Sequence, residues 1–224
     1  DQSVYPTGTK QHLAALLLEI YADEWLWNTG LYYRWTYDEE WIYKEWGRMA
    51  APGKPVADQV AAAISQSEYF RETLPALGVT KTSAPAIEAS YEALLGDLNI
   101  HFDSLPFLFG SRPSIGDYGL IAPFYGHLYR DPACGKIMRN LAPRVSEWVE
   151  RMEFALEPLS GDFLANDEIP STLIPVLKRA MTEQMPVLAD TVDKVAEWAA
   201  ASGTEDETAS HEPKPFARSK DTDH

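Results

Sequence analysis

Between Ala86 and Phe102 the apolar residues Ile87, Tyr91, Leu94, Leu95, Leu98 and Phe102 recur at i, i+4, i+7, i+8, i+11 and i+15. That is the period of one helix face, and it is the cleanest pattern in the chain. No segment alternates apolar and polar residues with period two in a β-branched run, so nothing reads as a strand. The fold class is therefore all-α, a helical bundle of about seven helices.

The other helices follow from the same spacing. Leu13, Leu16, Leu17 and Ile20 place one from Lys10 to about Asn28, continuing through Trp35, with Thr9 positioned to cap it. Others run over 38–50, ending at Ala51-Pro52-Gly53, and over 55–73. Gly78 and Pro85 bound a loop. Ser114-Ile115-Gly116-Asp117 is an S-x-x-D capping box, and the almost wholly apolar or small stretch from Tyr118 to Tyr129 follows it. A helix of that composition is buried on most sides, and Pro123 interrupts its hydrogen-bond ladder. Residues 141–156 form another helix, ended by Pro158 and Gly161. A long one over 170–200 carries Pro175 near its start and a kink at Pro186. Residues 1–8 read as an extended, linker-like lead-in, 9–200 as the domain, and 201–224 as a flexible acidic tail.

Composition narrows the partners. Thirty-four acidic against 19 basic residues give a formal net charge of −15, which argues against binding nucleic acid or an anionic membrane, both polyanions. No apolar run approaches the ~20 residues that span a bilayer. The expected setting is soluble, in the cytoplasm or an organelle interior. The single cysteine, Cys134 in DPACGK, excludes an internal disulfide and reads as an inert turn residue. The five histidines (12, 101, 127, 211 and 224) have no metal-ligand spacing, so no metal site is expected, and His127 reads as a core histidine. Ser114 and Asp117 read as a structural cap, not as a catalytic pair, because no histidine stands at a suggestive spacing.

Phe107, Leu108, Gly110, Pro113, Ser114 and Asp117, followed by Pro143, Trp148, Arg151 and Met152, resemble the C-terminal helical domain of glutathione S-transferases. Gly116 stands where that family usually has Ala. The resemblance covers about residues 9–155, and 170–200 weakly. It implies a partner domain of thioredoxin type that binds glutathione and activates its thiol. Nothing in this chain reads as that domain, and SVYPTG resembles the linker between the two. Asp1 is accordingly expected to lie where a linker stands. No catalytic residue carries over, and no cofactor is expected in the chain itself, with glutathione entering only through the thioredoxin-like domain.

Five of the seven Trp and four of the 11 Tyr lie between Trp25 and Trp46. The resemblance implies that this helix lines an acceptor pocket on one side and a dimer interface on the other. Trp27, Tyr32, Tyr33, Arg34 and Trp35 are the candidate substrate-binding residues, with a packed aromatic core and a partner surface as the alternatives. Three functions stay open. The chain could be a transferase-like domain offering a hydrophobic acceptor face and inactive alone. It could be a non-catalytic subunit that docks on a thioredoxin-like domain, another protein subunit or a second copy. It could be a small-molecule carrier.

Overall fold

The computed structural model describes residues 3–154 and 161–202. Pro158 as a helix terminator and the flexible tail beyond 202 lie outside the described residues. Among the described residues ten α-helices follow one another: α1 (Thr9–Tyr21), α2 (Trp27–Tyr37), α3 (Glu39–Ala50), α4 (Val56–Thr73), α5 (Ala84–Ser104), α6 (Ile115–Pro123), α7 (Pro132–Leu141), α8 (Pro143–Glu153), α9 (Ile174–Arg179) and α10 (Met185–Ser202). Among the described residues the only β pairing is two isolated bridges, Phe107 to Gly110 and Gly110 to Phe163. The all-α expectation holds.

The periodic face of 86–102 sits at the centre. Tyr91, Leu94, Leu95 and Leu98 of α5 are buried with Leu18 and Tyr21 of α1, Leu120 of α6 and Val145, Trp148 and Val149 of α8. α1 and α6 cross closely because small residues meet there. A Cβ placed on Gly119 would stand 2.8 Å from the Cα of Glu19, so a side chain at 119 would push the helices apart.

The long helix expected over 10–35 is real but carries a π-helical turn over Ala22–Leu26. The buried Gln184 side chain donates to the Ile20 carbonyl at 3.0 Å beside this turn. Two further π turns mark the prolines. One, Phe124–Tyr129, follows Pro123 directly, and the other, Ala180–Gln184, immediately precedes α10 and Pro186. Pro186 lacks the N–H that would reach back four residues, to Thr182 inside the second of these turns, and its ring crowds that carbonyl, so the ladder shifts register there. The stretch 170–200 is thus α9, a π turn and α10 in succession.

Three expectations are corrected. The DPACGK segment, read as a turn, opens α7 (Pro132–Leu141), with Cys134 fully buried in it. Its helical signal is short, ten residues with only Cys134, Gly135 and Met138 facing inward, and Pro132 at its first position reads equally well as a turn. The following helix starts at Pro143 and ends at Glu153, not 141–156. Thr9 is not the cap of α1: it is the first helical residue, and no side chain of Gly8 could cap it. Asp167 does that work from the far end of the sequence. Its carboxylate accepts the Lys10 N–H at 2.8 Å and the Gln11 N–H at 2.9 Å. Asn166 and Asp167 both adopt left-handed backbone (φ 59° and 55°) to present it, a conformation these short polar residues tolerate. Asp167→Ala is expected to lower the urea midpoint, because it removes the cap of α1. A urea midpoint equal to wild type would refute that.

Candidate functional site

α3 and α4 form a hairpin with its own small core of Trp35, Ile42, Tyr43 and Ala63, partly covered by Leu31, Trp41, Trp46, Val60 and Leu74. The two helices approach closely at Gly47, where a Cβ would lie 2.6 Å from the Gln59 carbonyl oxygen. Helical spacing then sorts the remaining apolar residues. Trp46, Met49 and Ala50 on α3 face Gln66 and Phe70 on α4 across an open depression of about 510 Å³. Met49 is 71% exposed and Phe70 46%. Trp46 meets Trp35 edge-on (5.6 Å between ring centroids, 82°) and Phe70 edge-on (5.7 Å, 71°), the arrangement aromatic quadrupoles favour. No charged residue lines the depression. On the same hairpin Arg48 pairs with Glu45, and Arg71 with Glu39 at 3.0 Å.

The five candidate residues on α2 do not share one surface, because about 100° of rotation per residue spreads 32–35 around the whole helix. Trp27, 40% exposed, sits edge-on to His127 at 4.6 Å. The Tyr32 hydroxyl donates to Glu88 Oε1 at 2.6 Å, as does that of Tyr37. Tyr33 is buried against Tyr91, ring centroids 5.3 Å apart. Trp35 belongs to the hairpin core. Arg34 is buried in an ion pair: Nε donates to Asp131 Oδ2 at 2.7 Å, and Nη2 to Asp131 Oδ1 at 2.8 Å and to the Gly126 carbonyl at 3.0 Å. Asp38 joins the cluster by accepting the Ala133 N–H at 2.9 Å, so it caps α7 from the end of α2. Burial raises the carboxyl pKa of both Asp38 and Asp131, and Arg34 pulls them back down.

Potential nucleophiles and acid–base groups are held inside. Burial, with Asp131 and Asp38 nearby, pushes the Cys134 thiol up to about 12, far from reactive. Burial lowers His101 to about 4, and burial with Arg34 and Arg130 lowers His127 to about 3. Ser114 and Asp117 form the expected capping box. The fully buried Asp117 carboxylate accepts from Ser114 N–H and Oγ–H at 2.8 Å each, Leu108 N–H at 3.1 Å and Trp148 Nε1–H at 3.2 Å. Burial raises its pKa to about 6 against those bonds. The node ties three parts of the chain together: the 105–110 turn, α6 and α8. Trp148 completes it by stacking on Phe102 (5.0 Å, 10°). Asp117→Ala strands three donors besides removing the cap, and is expected to cost about 3 kcal/mol. An unchanged melting temperature would refute the node.

Among the described residues no group of three His, Cys, Asp or Glu side chains is placed to hold a metal ion, and no helix is long and apolar enough to cross a membrane. Met49, Gln66 and Phe70 escaped the sequence reading, although Trp46, Met49 and Ala50 continue, at i+4, i+7 and i+8, the face that the inward-facing Ile42 begins. The roles of Asp131 and Asp38 escaped it because their partners, Arg34 and Ala133, lie 97 and 95 residues away. Comparison with protein-family models, with curated proteins and with solved structures finds no match to this chain.

Proposed function

We propose that the chain is a helical domain of the glutathione transferase C-terminal type, supplying an apolar acceptor-binding face and leaving thiol activation to a thioredoxin-like domain. The Ser114–Asp117 box at the head of a buried helix, gripped by Trp148, supports the domain type. One observation carries the binding role. The aromatics of α2 are largely engaged within the fold, whereas Trp46, Met49 and Phe70 line an open, uncharged depression. Its volume lies within the range of small-molecule sites. Titration with the neutral fluorophore phenylnaphthylamine tests this. Saturable one-to-one binding is expected, weakened at least about tenfold by the surface substitution Met49→Lys, which sets a charge in the site. The urea midpoint of that variant should stay at the wild-type value. Binding indifferent to Met49→Lys would overturn the site. Retention of the chain alone on glutathione resin would overturn the division of labour.

α10 favours a second reading, as a subunit of a larger assembly. Its Val192 (66% exposed) and Trp198 (37% exposed) lie with Val195 on an uncovered apolar stripe, a feature of interaction surfaces. Co-purification with a second subunit, lost in Val195→Asp, is the expected result under this reading.

A further inference from the structure

We infer that the outer face of α1 packs against the same face of a second copy of this chain, antiparallel about a two-fold axis near Leu16 and Leu17. The contact stands whether or not the α3–α4 depression takes a ligand. α1 carries two stripes, each at i, i+3, i+4 and i+7. The first, Gln11, Ala14, Ala15 and Leu18, is buried, with Gly116 and Gly119 of α6 in close approach beside it. The second, Leu13, Leu16, Leu17 and Ile20, starts two residues later and so points about 200° away. Leu13 is 59% and Ile20 44% exposed, and Leu16 and Leu17 are half-buried. A helix that buries one face normally turns polar residues outward. Here four large aliphatic side chains stand on the outer face instead, the mark of an interaction surface.

Charge at the two ends of the stripe decides what covers it. Lys10 is exposed before it, and Asp23 and Glu24 are exposed after it. About the point midway between Leu16 and Leu17, Leu13 mirrors Ile20 and Lys10 mirrors Asp23. A second α1 turned end for end therefore sets aliphatic against aliphatic at the centre and lysine against aspartate at both ends. That is the self-complementary pattern an isologous contact requires. A parallel copy would oppose like charges. The net charge of −15 is spread over the whole chain and is screened beyond about 8 Å at physiological salt, so the close pairs set the register.

Sedimentation equilibrium of the chain at physiological salt, up to about 200 μM, tests the contact. A monomer–dimer equilibrium is expected, weakened at least about tenfold by Leu13→Glu, whose exposed position leaves the urea midpoint unchanged. Lys10→Glu and Asp23→Lys should each weaken it at least about threefold, and the double reversal should restore it. The two positions lie more than three helical turns apart in one copy, so only contact between copies couples them. Lys10 also stands near the Asp167 carboxylate that caps α1, and Asp23→Lys cannot repair a cap at the opposite end of the helix, so rescue reads the contact itself. A monomer throughout, or a dimer indifferent to Leu13→Glu, would overturn the interface. A dimer sensitive to Leu13→Glu but not rescued by the double reversal would overturn the antiparallel arrangement.

Discussion

Asp131→Ala is expected to cost about 3–5 kcal/mol, the range for breaking a buried ion pair by removing one partner. Its guanidinium partner, Arg34, would keep only the Gly126 carbonyl inside a closed junction of α2 and α7, with both side chains under a tenth exposed. Arg34→Met is expected to cost a similar amount for the opposite reason. It leaves Asp131 and Asp38 as two carboxylates near one another with only Arg130 as a cation nearby, so one takes up a proton or the junction opens. The double variant Arg34→Met/Asp131→Ala removes the charge and its partner together, and should cost clearly less than the sum of the single changes. Urea unfolding followed by circular dichroism reads all three. A loss below about 1 kcal/mol in Asp131→Ala would place this pair with weak surface ion pairs and refute the closed junction.

The same pair shows where sequence reasoning stops. Periodicity read out α5 almost residue by residue, because a buried face must repeat every 3.6 residues whatever it packs against. The capping box was legible because donor and acceptor lie three residues apart. Arg34 is different. Its meaning depends on Asp131, 97 residues downstream, and no local pattern names that partner. Taken alone it suits a ligand-binding arginine; in the fold it is structural. Asp167 repeats the lesson, capping a helix more than 150 residues before it.

The aromatic density of 25–46 was legible as well, but its partition was not. Consecutive residues on a helix point in different directions, so one cluster in sequence becomes three in space: Trp27 on His127, Tyr32 and Tyr33 toward α5, and Trp35 in the hairpin core. The open surface falls instead on Trp46, Met49 and Phe70, because Gly47 brings α3 and α4 together and spends Ile42, Tyr43 and Ala63 on the interior. Which members of an aromatic run stay outside is decided by that packing, not by composition.

The two buried imidazoles are expected to withdraw stability from the fold on acidification from pH 6.5 to 4. His101 and His127 are held at about 4 and about 3 in the folded chain, against 6.5 when unfolded. Over this interval the unfolded chain binds both protons and the folded chain binds neither, so stability present above pH 6.5 is lost as the pH drops. Asp117 works the other way. Its folded value of about 6 lies above the unfolded 3.8, so the folded chain binds its proton first, and the fold gains from it between pH 6 and 4. The raised Asp38 and Asp131 carboxyls add to that gain, and the lowered Glu88 and Asp167 oppose it, so the imidazole contribution is read as a difference from a variant lacking one. His127→Phe keeps a ring against Trp27 and removes one titrating group. Relative to wild type it should lose less stability, or gain more, between pH 6 and 4, while Asp117→Asn should do the opposite. Urea midpoints measured at pH 7 and pH 4.5 decide the matter. A pH dependence in His127→Phe equal to that of wild type would mean that this imidazole is not buried in the neutral form, and the π turn after Pro123 would have to be more open than this packing allows.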